Sequence, residues 1–113
     1  MNKVCQILAT SLRGRITQHA VDPVQTHPIS FQFNNITQWL PYEDLLHLEW
    51  IVRHIDLKTY VQHYADEGRI HLKTSSPNLF FSFAPDELTE LRSLLGNAIV
   101  QLHWRENLSK SVN

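Results

Sequence analysis

The feature that most constrains the fold of this chain is a pattern that occurs twice. Residues 29–52 read ISFQFNNITQWLPYEDLLHLEWIV, and residues 70–95 read IHLKTSSPNLFFSFAPDELTELRSLL. In both stretches, alternating apolar residues predict two short strands separated by a turn. Apolar residues at helical spacing follow directly. Each stretch therefore predicts the order strand, turn, strand, helix.

The two predicted helices begin in the same way. Pro41 and Pro85 suit a first helical turn, where a missing backbone N–H costs nothing. An acidic pair follows each proline and complements the positive end of the helix dipole. The helical parts align at an offset of 43 residues and the leading strands at an offset of 41. These matches predict an internal repeat over residues 29–55 and 70–102.

We predict an α+β fold in which two repeated β-β-α units and an N-terminal β-hairpin share one core. The hairpin is expected from residues 3–10 and 15–21, and a short linker helix between the units from residues 56–66. Because one hairpin with one helix is only marginally stable, the copies are expected to pack together in a single domain, 1–113. The polar tail from Asn107 is expected to fray.

The amino-acid composition and the net charge of the chain argue against several classes of function. Ten Lys and Arg residues stand against eleven Asp and Glu, so the formal net charge is −1. This balance argues against binding nucleic acid or a membrane through bulk charge. The single cysteine allows no internal disulfide. No apolar run is long enough to span a bilayer, and no signal-peptide stretch opens the sequence, so we expect a cytoplasmic location.

Histidine is frequent, with seven in 113 residues, and it is the commonest metal ligand. The best candidate metal site consists of Cys5, His19 and His27, with Asp22 in the same loop. Nitrogen and sulfur ligands would suit zinc, although no pair of ligands has a zinc-finger spacing. The alternative is a buried apolar thiol with two solvent-facing histidines.

A second pair of titratable residues lies on the first predicted helix. Asp44 and His47 are three residues apart and share one helix face, and Glu87 and Glu90 occupy the equivalent positions of the second copy. The same residues are also typical of an exposed helix face. The sequence contains no Gly-x-Ser-x-Gly elbow and no glycine-rich phosphate loop. We therefore predict no catalytic residue and do not favour an enzyme.

The stretch 69–95, RIHLKTSSPNLFFSFAPDELTELRSLL, resembles the C-terminal half of a family of small bacterial proteins of unknown function. Members of that family open with a cysteine, as Cys5 does here, and continue with a glycine-containing hairpin, as at Gly14. They then carry a short CxxC. Here His19 stands where the first of those cysteines is expected, and a proline-bearing loop to His27 replaces the second. The resemblance implies the predicted layout and no particular activity.

Three aromatic residues indicate a function in binding. Trp39 and Phe80 alternate out of phase with their core neighbours, which places them on outer sheet faces. Exposed large aromatics mark partner sites. We therefore predict a small interaction module, acting as a homodimer, that contacts a protein or small ligand through Trp39, Phe80 and Trp104. Single-stranded nucleic acid stacked on these rings is an alternative that the net charge disfavours.

Overall fold

The computed structural model describes residues 5–19, 27–56, 58, 69–74 and 76–112, with the backbone alone over residues 105–112. Within these ranges the chain is an α+β structure with two sheets and two helices. The predicted linker helix at 56–66 falls almost entirely outside the described residues.

The N-terminal half forms one four-stranded antiparallel sheet. Strands β1 (Cys5–Thr10), β2 (Gly14–His19), β3 (Ile29–Phe33) and β4 (Ile36–Leu40) pair in chain order. The predicted N-terminal hairpin is thus the first half of a larger sheet. A two-residue turn joins β3 to β4, and its first residue, Asn34, has a φ of 54°. Asparagine tolerates this left-handed conformation better than most residues do.

The remaining elements are a helix, a second hairpin and a long helix. They are α1 (Tyr42–Arg53), β5 (Ile70–Lys73), β6 (Phe80–Phe83) and α2 (Pro85–Val112). The hairpin β5–β6 is a separate antiparallel sheet of two strands.

Helix α2 is longer than the sequence pattern predicts. Pro85 is its first residue, as expected, but its backbone continues to Val112 instead of fraying from Asn107. No glycine or proline follows Gly96, so the chain carries no residue that would end the helix earlier. None of the described helices, α2 included, has a stretch long and apolar enough to cross a bilayer.

One buried apolar core connects the two halves of the molecule. Phe31 of β3 packs against Phe81 of β6 with ring centroids 5.7 Å apart. Phe33 packs against Phe83 at 5.5 Å in an edge-to-face arrangement. All four side chains are at most 2% exposed. The helices complete the core with aliphatic residues: Leu45, Leu48, Val52, Leu88, Leu91, Leu94, Leu95, Ala98 and Leu102.

Gly14 begins β2 where α2 crosses the inner face of the sheet. A Cβ atom at this position would lie 2.7 Å from Cδ2 of Leu94 and 2.9 Å from Cδ2 of Phe33. It would also lie 3.0 Å from the backbone carbonyl oxygen of Gln32. The side chains could move only by disturbing the packed core, so the close approach of helix and sheet requires glycine here.

Glutamates of α2 bind the turns at one end of the four-stranded sheet. Glu90 accepts hydrogen bonds from the Ser11 hydroxyl at 2.5 Å and from the backbone N–H and Nε of Arg13, each at 2.7 Å. Glu87 is buried and accepts a hydrogen bond of 2.6 Å from the side-chain amide of Asn34. These bonds fix both hairpin turns to the first turns of α2.

The Glu90 carboxylate makes stability depend on pH. Burial alone would raise the pKa of Glu90, but hydrogen bonds from Ser11 and Arg13 outweigh it and place the pKa below its ordinary value of 4.5. The folded state therefore keeps this group ionised to lower pH than the unfolded chain does. Its contribution to stability is present above about pH 4.5 and is lost as the pH falls through the lower folded pKa.

We predict that Glu90→Gln lowers the free energy of unfolding at neutral pH by roughly 1.5–3 kcal/mol, because it weakens charge-assisted hydrogen bonds. We also predict that the variant loses less stability than the unmodified chain when the pH is lowered. Urea denaturation at neutral and acidic pH measures both effects, with the exposed Glu43→Gln as the control. An acid dependence identical to that of the unmodified chain would contradict the assignment.

Candidate functional site

The outer face of the four-stranded sheet carries a row of side chains that crosses every strand. The strand register places Ile7 opposite Thr17, Thr17 opposite Ser30, and Ser30 opposite Trp39. Thr17 and Ser30, in the middle, are buried. Ile7 and Trp39, at the two edges, are 53% and 51% exposed. The row therefore has two buried residues in its middle and one half-exposed apolar residue at each end.

His19 links this row to the only cysteine of the chain. The register pairs Cys5 with His19, and Cys5 Sγ lies 3.3 Å from His19 Nδ1. The other ring nitrogen, Nε2, lies 2.9 Å from Ser30 Oγ. The imidazole also packs against the indole of Trp39, with ring centroids 4.5 Å apart. We call these four residues, Cys5, His19, Ser30 and Trp39, the outer-face cluster.

The outer-face cluster combines a thiol, a base and a group that orients the base. When Nε2–H of His19 donates to Ser30 Oγ, the lone pair on Nδ1 is directed at the Cys5 thiol and can accept its proton. A nucleophile within hydrogen-bond reach of a base, itself held by a third group, is the arrangement that activates thiols. Cys5 is exposed, so reagents can reach it.

The predicted zinc ligands are brought together only in part. The structure joins Cys5 and His19, but the described residues contain no group of three His, Cys, Asp or Glu side chains that could hold a metal ion. His27 is exposed, just before β3, and Asp22 lies outside the described residues. Zinc sites use three or four protein ligands. Zinc binding therefore stays a prediction, and no group of described residues supports it.

The three predicted partner-binding aromatics lie on three different elements. Trp39, Phe80 and Trp104 are all exposed. Phe80 lies on β6 opposite Lys73, and Trp104 lies on α2. Only Trp39 belongs to the outer-face cluster. A role of Phe80 and Trp104 in partner binding stays a prediction.

A pocket of about 340 Å³ lies between α1, β4 and the β5–β6 hairpin. Its floor is apolar and is formed by Leu40, Leu48, Ile51 and Phe81. The polar residues that line it are Gln38, Asp44, His47, Lys73 and Thr74. The Asp44 and His47 pair was visible in the sequence as a pair on one helix face. The pocket itself was not, because Lys73, Thr74 and Phe81 come from the second half of the chain.

The sequence profile of one protein family matches nearly the whole chain. It is described as "Family of unknown function (DUF6686)", and the match covers residues 1–109. The chain belongs to this family. The prediction of a family of unknown function is thus confirmed. Comparisons with curated proteins and with solved structures found no match.

We predict that Cys5 of this DUF6686 protein reacts in the native state and that His19 sets the rate. Native protein should consume one equivalent of a disulfide reagent such as DTNB, because the chain has a single, exposed thiol. His19→Gln should slow the reaction roughly tenfold, because it removes the base that accepts the thiol proton.

The matched control for this prediction is His54→Gln. His54 stacks on Trp50 with ring centroids 4.3 Å apart, as His19 packs on Trp39, but it lies on the helical side of the molecule. Equal rates for the unmodified chain and His19→Gln would show that the imidazole does not activate the thiol.

Proposed function

We propose that this protein is a binding module that forms a homodimer through the outer face of its four-stranded sheet. The observation that carries the proposal is the row from Ile7 to Trp39, with an apolar side chain half exposed at each edge. An antiparallel sheet with one face in water usually carries polar residues on that face. Trp39, half exposed on this face, is the type of large aromatic residue that is enriched in protein interfaces.

The geometry of the row favours a second copy of the chain as the partner. Trp39 lies on the edge strand β4 and Ile7 on the opposite edge strand β1. A two-fold axis through the middle of the row would place Ile7 of one protomer against Trp39 of its partner, and the reverse. A surface that complements itself in this way is what a two-fold symmetric interface requires.

The middle of the row can be covered at little cost. Thr17 and Ser30 are already buried in the single chain, and the Ser30 hydroxyl has a hydrogen-bond partner in His19, so association would remove little further polar surface from water there. The contact between His19 and Trp39 also restrains the indole before association. A restrained aromatic side chain loses less rotamer entropy on binding.

We also infer that residues 29–55 and 70–102 are copies of one β-β-α unit. Strands β3 and β4 precede α1 as β5 and β6 precede α2, and a proline stands at each helix start. The copies differ in their connections, since a two-residue turn in the first corresponds to residues 74–79 in the second. They also differ in helix length, 12 residues against 28.

The dimer is tested by sedimentation equilibrium over a range of micromolar concentrations. We expect a mass twice the chain mass of 13.2 kDa. Trp39→Ala should weaken association at least about tenfold, because a large aromatic side chain buried in an interface contributes on the order of 2 kcal/mol. Trp50→Ala is the matched control, since Trp50 is 53% exposed but lies on α1.

A monomer at all concentrations would contradict self-association. A dimer that Trp39→Ala leaves unchanged, or that Trp50→Ala weakens equally, would exclude the outer face of the sheet as the interface.

A further inference from the structure

We propose that the pocket between α1, β4 and the β5–β6 hairpin binds a small zwitterion with an apolar body. The chemical class that fits is a free α-amino acid with a large apolar side chain. The proposal rests on an apolar floor beneath two opposite charges that stand on different walls. It is independent of the dimer, because the pocket shares no residue with the outer-face cluster.

The apolar part of the ligand is defined by the floor. Leu40, Leu48 and Phe81 are buried, and Ile51 is half-buried beside them. All are aliphatic or aromatic, so the bottom of the pocket offers no hydrogen-bond partner from a side chain. A volume of about 340 Å³ is near the lower end for ligand sites, which run from roughly 300 to 1,000 Å³. The occupant is therefore small.

The charged side chains that line the pocket indicate which charges the ligand carries. Asp44 comes from α1 and Lys73 from the end of β5, and no ion pair of 4.0 Å or less joins them. In the part of the chain that the structure describes, neither side chain has a hydrogen-bond or ion-pair partner. Two opposite charges thus line one pocket without neutralising each other.

A zwitterion complements this arrangement better than a singly charged ligand does. An anion could pair with Lys73 but would be repelled by Asp44. A cation could pair with Asp44 but would be repelled by Lys73. An α-amino acid carries an ammonium group for Asp44 and a carboxylate for Lys73. Its apolar side chain can at the same time occupy the floor, where burial of apolar surface is favourable.

The first test uses the unmodified protein and chemically matched ligands. Isothermal titration calorimetry with L-leucine and L-phenylalanine should show saturable binding to one site per chain. N-acetyl-L-leucine lacks the ammonium group and L-leucinamide lacks the carboxylate, so each should bind at least about tenfold more weakly. L-serine, which has no apolar body, should show no saturable binding.

The second test uses variants of the two charged residues, each with a control variant of the same residue type or charge. Asp44→Asn should weaken leucine binding at least about tenfold, whereas Glu43→Gln should not change it. Glu43 shares the acidic first turn of α1 but does not line the pocket, so it controls for effects on the helix. Lys73→Gln should weaken binding similarly, with the exposed Lys58→Gln as its control.

Two results would overturn the proposal. One is the absence of saturable binding of both leucine and phenylalanine at roughly 10 mM ligand. The other is binding that survives N-acetylation or amidation of the ligand unchanged, because the charges would then play no part. The ligand series needs no variant, so it decides the matter even if Asp44→Asn fails to fold.

Discussion

The packing of Phe31 and Phe33 against Phe81 and Phe83 determines most of what else the structure contains. These rings join strands from the two halves of the chain, and each is buried. Side chains alternate between the two faces of a strand. Because the four phenylalanine rings point into the core, Ser30 and Phe80 lie on the opposite faces of their strands. Trp39 pairs with Ser30 and lies on the same face as Ser30. The same contact therefore builds the core, the outer face of the sheet and the junction where the pocket forms.

Local features of the fold could be predicted from the sequence, and contacts distant along the chain could not. Alternation and helical spacing indicated the strands and helices, and the prolines at 41 and 85 marked both helix starts. The joining of β2 to β3 across the loop was not predicted, because no turn chemistry specifies a pairing over that distance. The hydrogen bonds of Glu90 to Ser11 and Arg13, separated by 79 and 77 residues, left no local pattern.

In the candidate site, too, the contacts between residues near in sequence could be predicted and the distant ones could not. A hairpin through Gly14 is enough to bring Cys5 near His19, so that pair was accessible from the sequence. Ser30 and Trp39 join it only because four strands lie in chain order. The pocket required the position of the β5–β6 hairpin over the first half of the chain. The outer face and the pocket thus offer two separate binding surfaces, one suited to a second copy and one to a small ligand.

The two halves of the chain form one core through their phenylalanine rings. A double-mutant cycle of Phe33→Leu and Phe83→Leu, measured by urea denaturation, tests this contact. We predict one cooperative unfolding transition for every variant and a coupling energy of about 1 kcal/mol between the two rings. Additive effects within roughly 0.3 kcal/mol, or separate transitions for the two halves, would contradict the shared core.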